Sequence, residues 1–246
     1  MKKLLICILC LVSIKGFSQL RIGIQGSFSS LNYWQNDRYT GLSAQENTWS
    51  MNGWQAGAFG EYDLGYSGLE LQAALMYGTS GAHLGQAKGF ANAGTFVIGY
   101  SDTKLKINSI RLPVNLLYSY RVTSNWKVFA GLGPYIAKNL SGTEKGIYRG
   151  YDNSSNVYVP GQFPINNDIH ISSDKSQATI GQSNVASIDL GMDALIGFQY
   201  KKVQISASWM RGFVRQYHTD YVNMGNAVWN FTVGYVLFGH DRKPRL

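Results

Sequence analysis

Few residues in this chain could do chemistry. There are four histidines: His83, His170, His218 and His240. A hydrolytic centre needs a nucleophile, a base and an orienting acid within hydrogen-bond reach. Ser80 lies close to His83 in sequence, and His218 lies close to Asp220. Neither pair falls in a segment of regular alternation, so these are expected to be solvated loop residues. Metal binding by His83 and His218 has no further donor to support it. The Gly131-x-Gly133 pair is no dinucleotide loop, because no helix follows to offer its N-terminus to a phosphate. No catalytic residue, cofactor or metal site is therefore assigned, and the chain is read as a non-enzyme.

The remaining candidates are charges that recur on one face of alternating segments: Glu61, Asp63, Glu70, Arg111, Lys127, Asp189 and Asp193. If those faces point inward they must pair or meet water, since an isolated buried charge is costly. The expectation is a salt-bridge network centred on Arg111, with Glu61, Glu70 and Asp189 as partners and Asp193 beside them. A sharper possibility is that rearranged pairs open a narrow water path.

The elements that must position these charges alternate at period 2, and they do so eight times. Leu20, Ile22, Ile24, Gly26 and Phe28 oppose Arg21, Gly23, Gln25, Ser27 and Ser29. Trp54, Ala56, Ala58, Tyr62 and Leu64 oppose Gln55, Gly57, Phe59, Glu61 and Asp63. Further alternating segments begin at Leu69, Ile110, Trp126, Ile188, Val203 and Trp229. One face is aliphatic and aromatic; the other is polar, small or glycine. At about ten residues per segment, this is the lipid-out, polar-in dyad of a membrane barrel.

The connections alternate in length. Short turns fall at Gly65-Tyr66-Ser67, Val122 to Asn125 and Lys201-Lys202. Long ones fall at 34–52, 80–105, 141–186 and 213–226. Short turns belong on the periplasmic side and long loops outside. Trp54, Tyr77, Trp209 and Trp229 cluster near the long-loop ends. Tyr62, Tyr118, Trp126, Tyr200 and Tyr235 cluster near the short turns. Two girdles suit two water–lipid interfaces. Pro113 and Pro134 interrupt two strands, each removing a ladder donor, and bulges or bends are expected there. Arg211 breaks the outward parity after Trp209 and is expected at or above the outer girdle, with Arg215 near acidic lipid headgroups.

Composition agrees. Charged residues are only 15% of the chain, against about 25% in a soluble domain. No apolar run is long enough for a spanning helix, which needs about 20 residues. Lys2 and Lys3, the apolar stretch Leu4 to Ile14 and Gly16-Phe17-Ser18 read as a secretory signal over 1–18, with the barrel domain over 19–246. A lipoprotein signal at Cys10 is a weaker reading, because Leu9 stands where a small residue should. Both cysteines, Cys7 and Cys10, lie in that segment, so no disulfide is expected in the mature chain. Removing Lys2, Lys3 and Lys15 from a net charge of +8 leaves +5. No basic stripe of the kind nucleic acid attracts is formed.

Gly68-Leu69-Glu70-Leu71-Gln72, Ile110-Arg111-Leu112-Pro113-Val114-Asn115-Leu116-Leu117-Tyr118 and Ala130-Gly131-Leu132-Gly133-Pro134-Tyr135 resemble strands of the PorT-like outer-membrane β-barrel family of Bacteroidetes-type bacteria. Ile188-Asp189-Leu190-Gly191 is similar to its sixth strand. The resemblance implies an all-β, eight-stranded antiparallel transmembrane barrel in a bacterial outer membrane. It implies little about role, because members are mostly called porin-like without a defined substrate.

The reading is thus an outer-membrane barrel with a side-chain-filled interior and a structural or loop-mediated binding role. Its partners are outer-membrane lipid, the barrel assembly machinery the fold requires, and an extracellular ligand or protein at loop 141–186. The alternatives are a narrow porin-like channel for small solutes and a soluble lipocalin-like binder, which would carry its apolar face inside. The mature chain refolded in detergent should give a β-rich circular dichroism spectrum and migrate differently in a gel before and after boiling. A water-soluble protein without that shift would contradict the membrane reading.

Overall fold

A strand in hydrocarbon cannot leave its N–H and C=O groups unpaired, so a sheet crosses a bilayer only by closing on itself. The computed structural model closes in this way. It describes residues 19–37, 47–65, 68–92, 95–152, 162–172, 184–214, 217–218 and 222–239. The strands are β1 (Leu20–Asp37), β2 (Asn47–Trp49), β3 (Met51–Asp63), β4 (Leu69–Asn92), β5 (Thr95–Arg121), β6 (Trp126–Asp152), β7 (Gln162–Asp168), β8 (His170–Ile171), β9 (Asn184–Val185), β10 (Ile188–Tyr200), β11 (Val203–Gly212), β12 (Tyr217–His218) and β13 (Val222–Phe238). Neighbours pair antiparallel in the order β1-β3-β4-β5-β6-β10-β11-β13, and β13 returns to β1. Eight strands therefore form a closed ring, with the five short strands attached at its long-loop end. The proposed signal, 1–18, lies outside the described residues.

The period-2 pattern sets which face meets lipid. On β10, Ile188, Leu190, Ala194, Ile196 and Phe198 are exposed, while Asp189, Asp193 and Gln199 are buried. The same parity runs around the ring through Ile24, Phe28, Leu75, Leu112, Leu132, Phe231 and Val233, all exposed. Leaving even ten such side chains in water would forgo on the order of 15–30 kcal/mol. That exceeds the roughly 5–15 kcal/mol of net stability a soluble domain has. The arrangement is the reverse of a lipocalin, so the soluble alternative falls. Ring contacts mark both girdles: Trp54 with Tyr77 (5.9 Å between centroids) and Trp209 with Trp229 (6.4 Å) at one end, Trp126 with Tyr200 (4.7 Å) at the other.

The strands outrun the membrane. Crossing takes about 9–11 residues, yet β5 and β6 have 27 residues each and β4 has 24. Segment 80–105, expected as a loop, is a continued hairpin in which Asn92 pairs with Thr95. The first part of 141–186 continues β6 and pairs with β7. These strands form a blade projecting outward from the barrel, and β1 and β13 also stay paired beyond a membrane-crossing length, to Asp37 and Val222. The inner face of the blade meets Tyr33 of β1 and Val185 of β9 in a small apolar core with Ala82, Leu84, Leu105, Ile107 and Ile169. On β5 the pattern inverts at the membrane edge. Leu105 and Ile107 point in and Lys104 and Lys106 out, whereas Ser109 and Arg111 point in and Ile110 and Leu112 out.

The prolines act differently from the expected bulges. Register is unchanged across both, and the shifts lie at Ile22/Gly23 and at Asn108/Ser109. Each proline instead opens one ladder and keeps the other. Pro113 pairs with Tyr135 on β6, but pairing to β4 lapses between Ala73–Val114 and Met76–Arg111. Pro134 pairs with Met192 on β10, but pairing to β5 lapses between Pro113–Tyr135 and Leu116–Leu132. A residue's N–H faces one neighbouring strand only, so one ladder suffers. Pro134→Ala restores a donor facing β5. It should raise the unfolding free energy in urea by about 0.5–1.5 kcal/mol; a fall would show that the proline's φ restriction outweighs the lost hydrogen bond.

Candidate functional site

An eight-stranded barrel leaves an interior that side chains just fill. Here they fill it in layers. The layer nearest the short turns is ionic. Arg21 on β1 stands directly opposite Glu61 on β3, and its guanidinium meets Glu61 Oε2 at 2.7 Å and Glu70 Oε2 at 2.6 Å. Lys127 Nζ donates to Glu70 Oε2 at 3.0 Å and lies 3.8 Å from Glu61. Ser119 Oγ donates to Glu70 Oε1, while Gln72 and Gln204 both donate to Glu61 Oε1, each at 2.9 Å. Two cations and two carboxylates balance, and all four residues are buried. A buried pair holds only when further hydrogen bonds occupy the remaining oxygens, and the two glutamines and the serine do this.

Above the ions comes an apolar layer of Phe59, Ala74, Met76 and Val236. Inward glycines make room for its ring: a Cβ at Gly23 would lie 2.5 Å from the Phe59 ring. Next is a hydroxyl and amide layer. Ser29 Oγ and Gln55 Nε2 both donate to Asn230 Oδ1 at 2.7 Å, and Ser27 and Thr232 share a hydrogen bond of 2.8 Å. Ser27, Gln55, Asn230 and Thr232, with Gln25, Gln72 and Ser208, line a cavity of about 40 Å³, enough for a few ordered waters.

The second charged layer lies beyond it. Arg111, Ala137 and Asp189 occupy one row across β5, β6 and β10. Asp189 Oδ2 accepts from Tyr135 Oη at 2.9 Å and from Asn226 Nδ2 at 2.6 Å. Asp193 Oδ2 accepts from Asn115 Nδ2 at 2.9 Å across Gly133. The Arg111 guanidinium lies over the Tyr135 ring, 5.5 Å from its centroid, and Nη1 contacts Met210 Sδ at 3.4 Å. Leu31, Met210 and Val228 close this layer toward the outside, and the apolar core of the blade lies beyond.

The five expected network residues are thus all inside, in two separate groups. Glu61 and Glu70 are held by Arg21 and Lys127. Arg111 belongs with Asp189 and Asp193 at the far side of the hydroxyl layer. The sequence puts Lys127 on the inward face without naming its partner, and puts Arg21 among the polar positions of its strand. Face parity shows that both point inward; only the β1–β3 register shows that Arg21 opposes Glu61. Asp63 lies outside either group, and its carboxylate accepts from Gly65 N at 2.8 Å within the short turn.

A family model described as outer membrane protein beta-barrel domain matches residues 16–215. The chain belongs to that family. It is an outer-membrane protein. No curated protein matches it. Among solved structures it is similar to the outer membrane protein OprG from Pseudomonas aeruginosa (12% identity, 93% of this chain and 100% of that one, TM-score 0.46). Neisserial surface protein A is similar at 13% identity over 87% and 96%, TM-score 0.40. So is Ail, the attachment invasion locus protein of Yersinia pestis, at 11% identity over 89% and 99%, TM-score 0.35.

In this outer-membrane barrel the histidine candidates do not assemble. Ser80 is fully buried on the inner face of the blade, whereas His83 lies on the outer face. His83 Nε2 pairs with Asp102 on the adjacent strand, and its ring packs on Trp49 at 5.1 Å. His218 lies on β12, while Asp220, Arg215 and His240 fall outside the described residues. Among the described residues no cluster of ligating side chains could hold a metal.

Glu70→Gln leaves Arg21 and Lys127 under-neutralised in a dry layer. It should lower the unfolding free energy by about 3–5 kcal/mol, whereas Asp63→Asn in the turn should cost under about 1 kcal/mol. Equal effects would contradict the ionic layer.

Proposed function

We propose that this protein is a non-enzymatic barrel that does not conduct, and that its interior serves stability while its extracellular part serves binding. The observation that carries this reading is the pair of packed side-chain layers that flank the interior cavity on its two sides. The Arg21–Glu61–Glu70–Lys127 layer closes the periplasmic side. The Leu31–Tyr135–Met210 layer and the Leu84–Leu105–Ile107 core close the outer side. The cavity among the hydroxyls and amides lies between these two layers. Opening a path would separate buried charges that neutralise one another, a cost of several kcal/mol per ion. Within the family, the residues around Leu69, Ile110 and Ala130 favour a PorT-like branch.

With a packed interior, what remains available to a partner is the blade and the segments that meet it. The segment 141–186 contributes β7, β8 and β9 to that region, and its wealth of Asn, Ser, Gly and Tyr suits adaptable recognition. A narrow porin-like channel is the reading this proposal competes with.

Planar-bilayer recording decides between them. The purified protein should insert without stepwise conductance, and Arg21→Ala with Lys127→Ala should produce leak only by loosening the plug. Stable unitary conductance from the unmodified protein would overturn the proposal.

A further inference from the structure

The outer face of β5 and β6 carries four lysines, two from each strand: Lys104 and Lys106, Lys138 and Lys145. Lys138 lies in the last apolar row, flanked by Ile110 on β5 and Ile188 on β10. Next along β5 and β6 come Asn108 and Ser141, joined by a hydrogen bond of 3.1 Å. Lys106 follows, then Lys104, which stands directly opposite Lys145. All four lysines are exposed. From Ile110 to Lys104 the patch extends about 20 Å along the strand.

This arrangement is electrostatically unfavourable by itself. Like charges directly opposite on adjacent strands destabilise a sheet, and Lys104–Lys145 is such a pair. Two acids border the patch without forming an ion pair with it among the described residues. Asp102 is engaged by His83, which stands opposite Lys104. Asp168 sits across Thr143 on β7, and no ion pair joins it to these lysines among the described residues. Glu144 is buried, with its side chain off this face.

We propose that this patch binds the phosphate groups of outer-leaflet lipid headgroups. Two features select a lipid over a free anion. The patch begins in the row where the apolar belt ends, so a headgroup whose chains lie against Leu112, Ile136 and Leu190 meets Lys138 first and Lys106 next. Lysine also suits this place, because its stem packs on apolar surface while its ammonium reaches the polar layer. One lipid can therefore satisfy the belt and the lysines together.

The test uses the full barrel in zwitterionic detergent, with a bis-phosphorylated glycolipid (lipid A) and its dephosphorylated form as probes, and binding read by native mass spectrometry. The phosphorylated form should bind more tightly. K106Q/K138Q should lose on the order of tenfold or more of that affinity, while K201Q/K202Q, which removes the same charge at a periplasmic turn, should keep it. The heat-dependent gel shift of each variant shows that it has folded. Without lipid, K104Q/K145Q should unfold at a higher urea concentration, since the repulsion is gone. Equal binding of both glycolipids, equal loss in K106Q/K138Q and K201Q/K202Q, or tighter capture of soluble polyphosphate than of lipid A would overturn the proposal.

Discussion

Backbone pairing in hydrocarbon is the constraint on which the rest of this structure depends. An unpaired N–H or C=O costs several kcal/mol in lipid and little in water. The ring must therefore close, and β13 must return to β1. Closure fixes a narrow bore, and alternation then assigns every second residue to lipid and the others to that bore. The two prolines show how little the constraint yields. Each opens the ladder on one side only, and the register carries straight through.

Filling the bore is the second consequence. Lipid takes the apolar side chains, so the inward face is left with polar and charged groups that must satisfy one another. The solution is layered. A neutral set of four ions and a set around Arg111 are separated by the Phe59 layer and by hydroxyls and amides with room for water. Above the membrane the solvent changes and the face pattern inverts. β5 carries both regimes, lysine-out with leucine-in above and leucine-out with arginine-in below. Where those regimes meet, the lysines border the apolar belt.

Face parity was legible in the sequence wherever lipid enforces it. The eight segments, the short turns and both girdles followed from period 2 and from aromatic placement. Partner choice was not legible, because it depends on register and stagger around the ring. Arg21 and Arg111 look alike on their strands, yet one meets Glu61 and the other lies over Tyr135. The length of β4, β5 and β6 was hidden for a different reason. Outside the membrane the outer face is polar, so Leu105 and Ile107 alternate with lysines in the opposite sense and look like a loop beside a lipid-facing strand. The lysine patch was hidden because its members lie on two strands and meet only through the β5–β6 register.

Strand β5 passes from water to lipid at a definable residue while its inner face stays turned into the barrel. Single cysteines along β5, in a form expressed without residues 1–18 and so without Cys7 and Cys10, can each carry a fluorophore and be tested with lipid-borne quenchers. Quenching should be strong at Ile110, Leu112, Leu116 and Tyr118, weak at Ser109, Arg111 and Leu117, and weak again at Lys104 and Lys106. Quenching without alternation, or as strong at Lys104 as at Leu112, would contradict the barrel's faces and its membrane boundary.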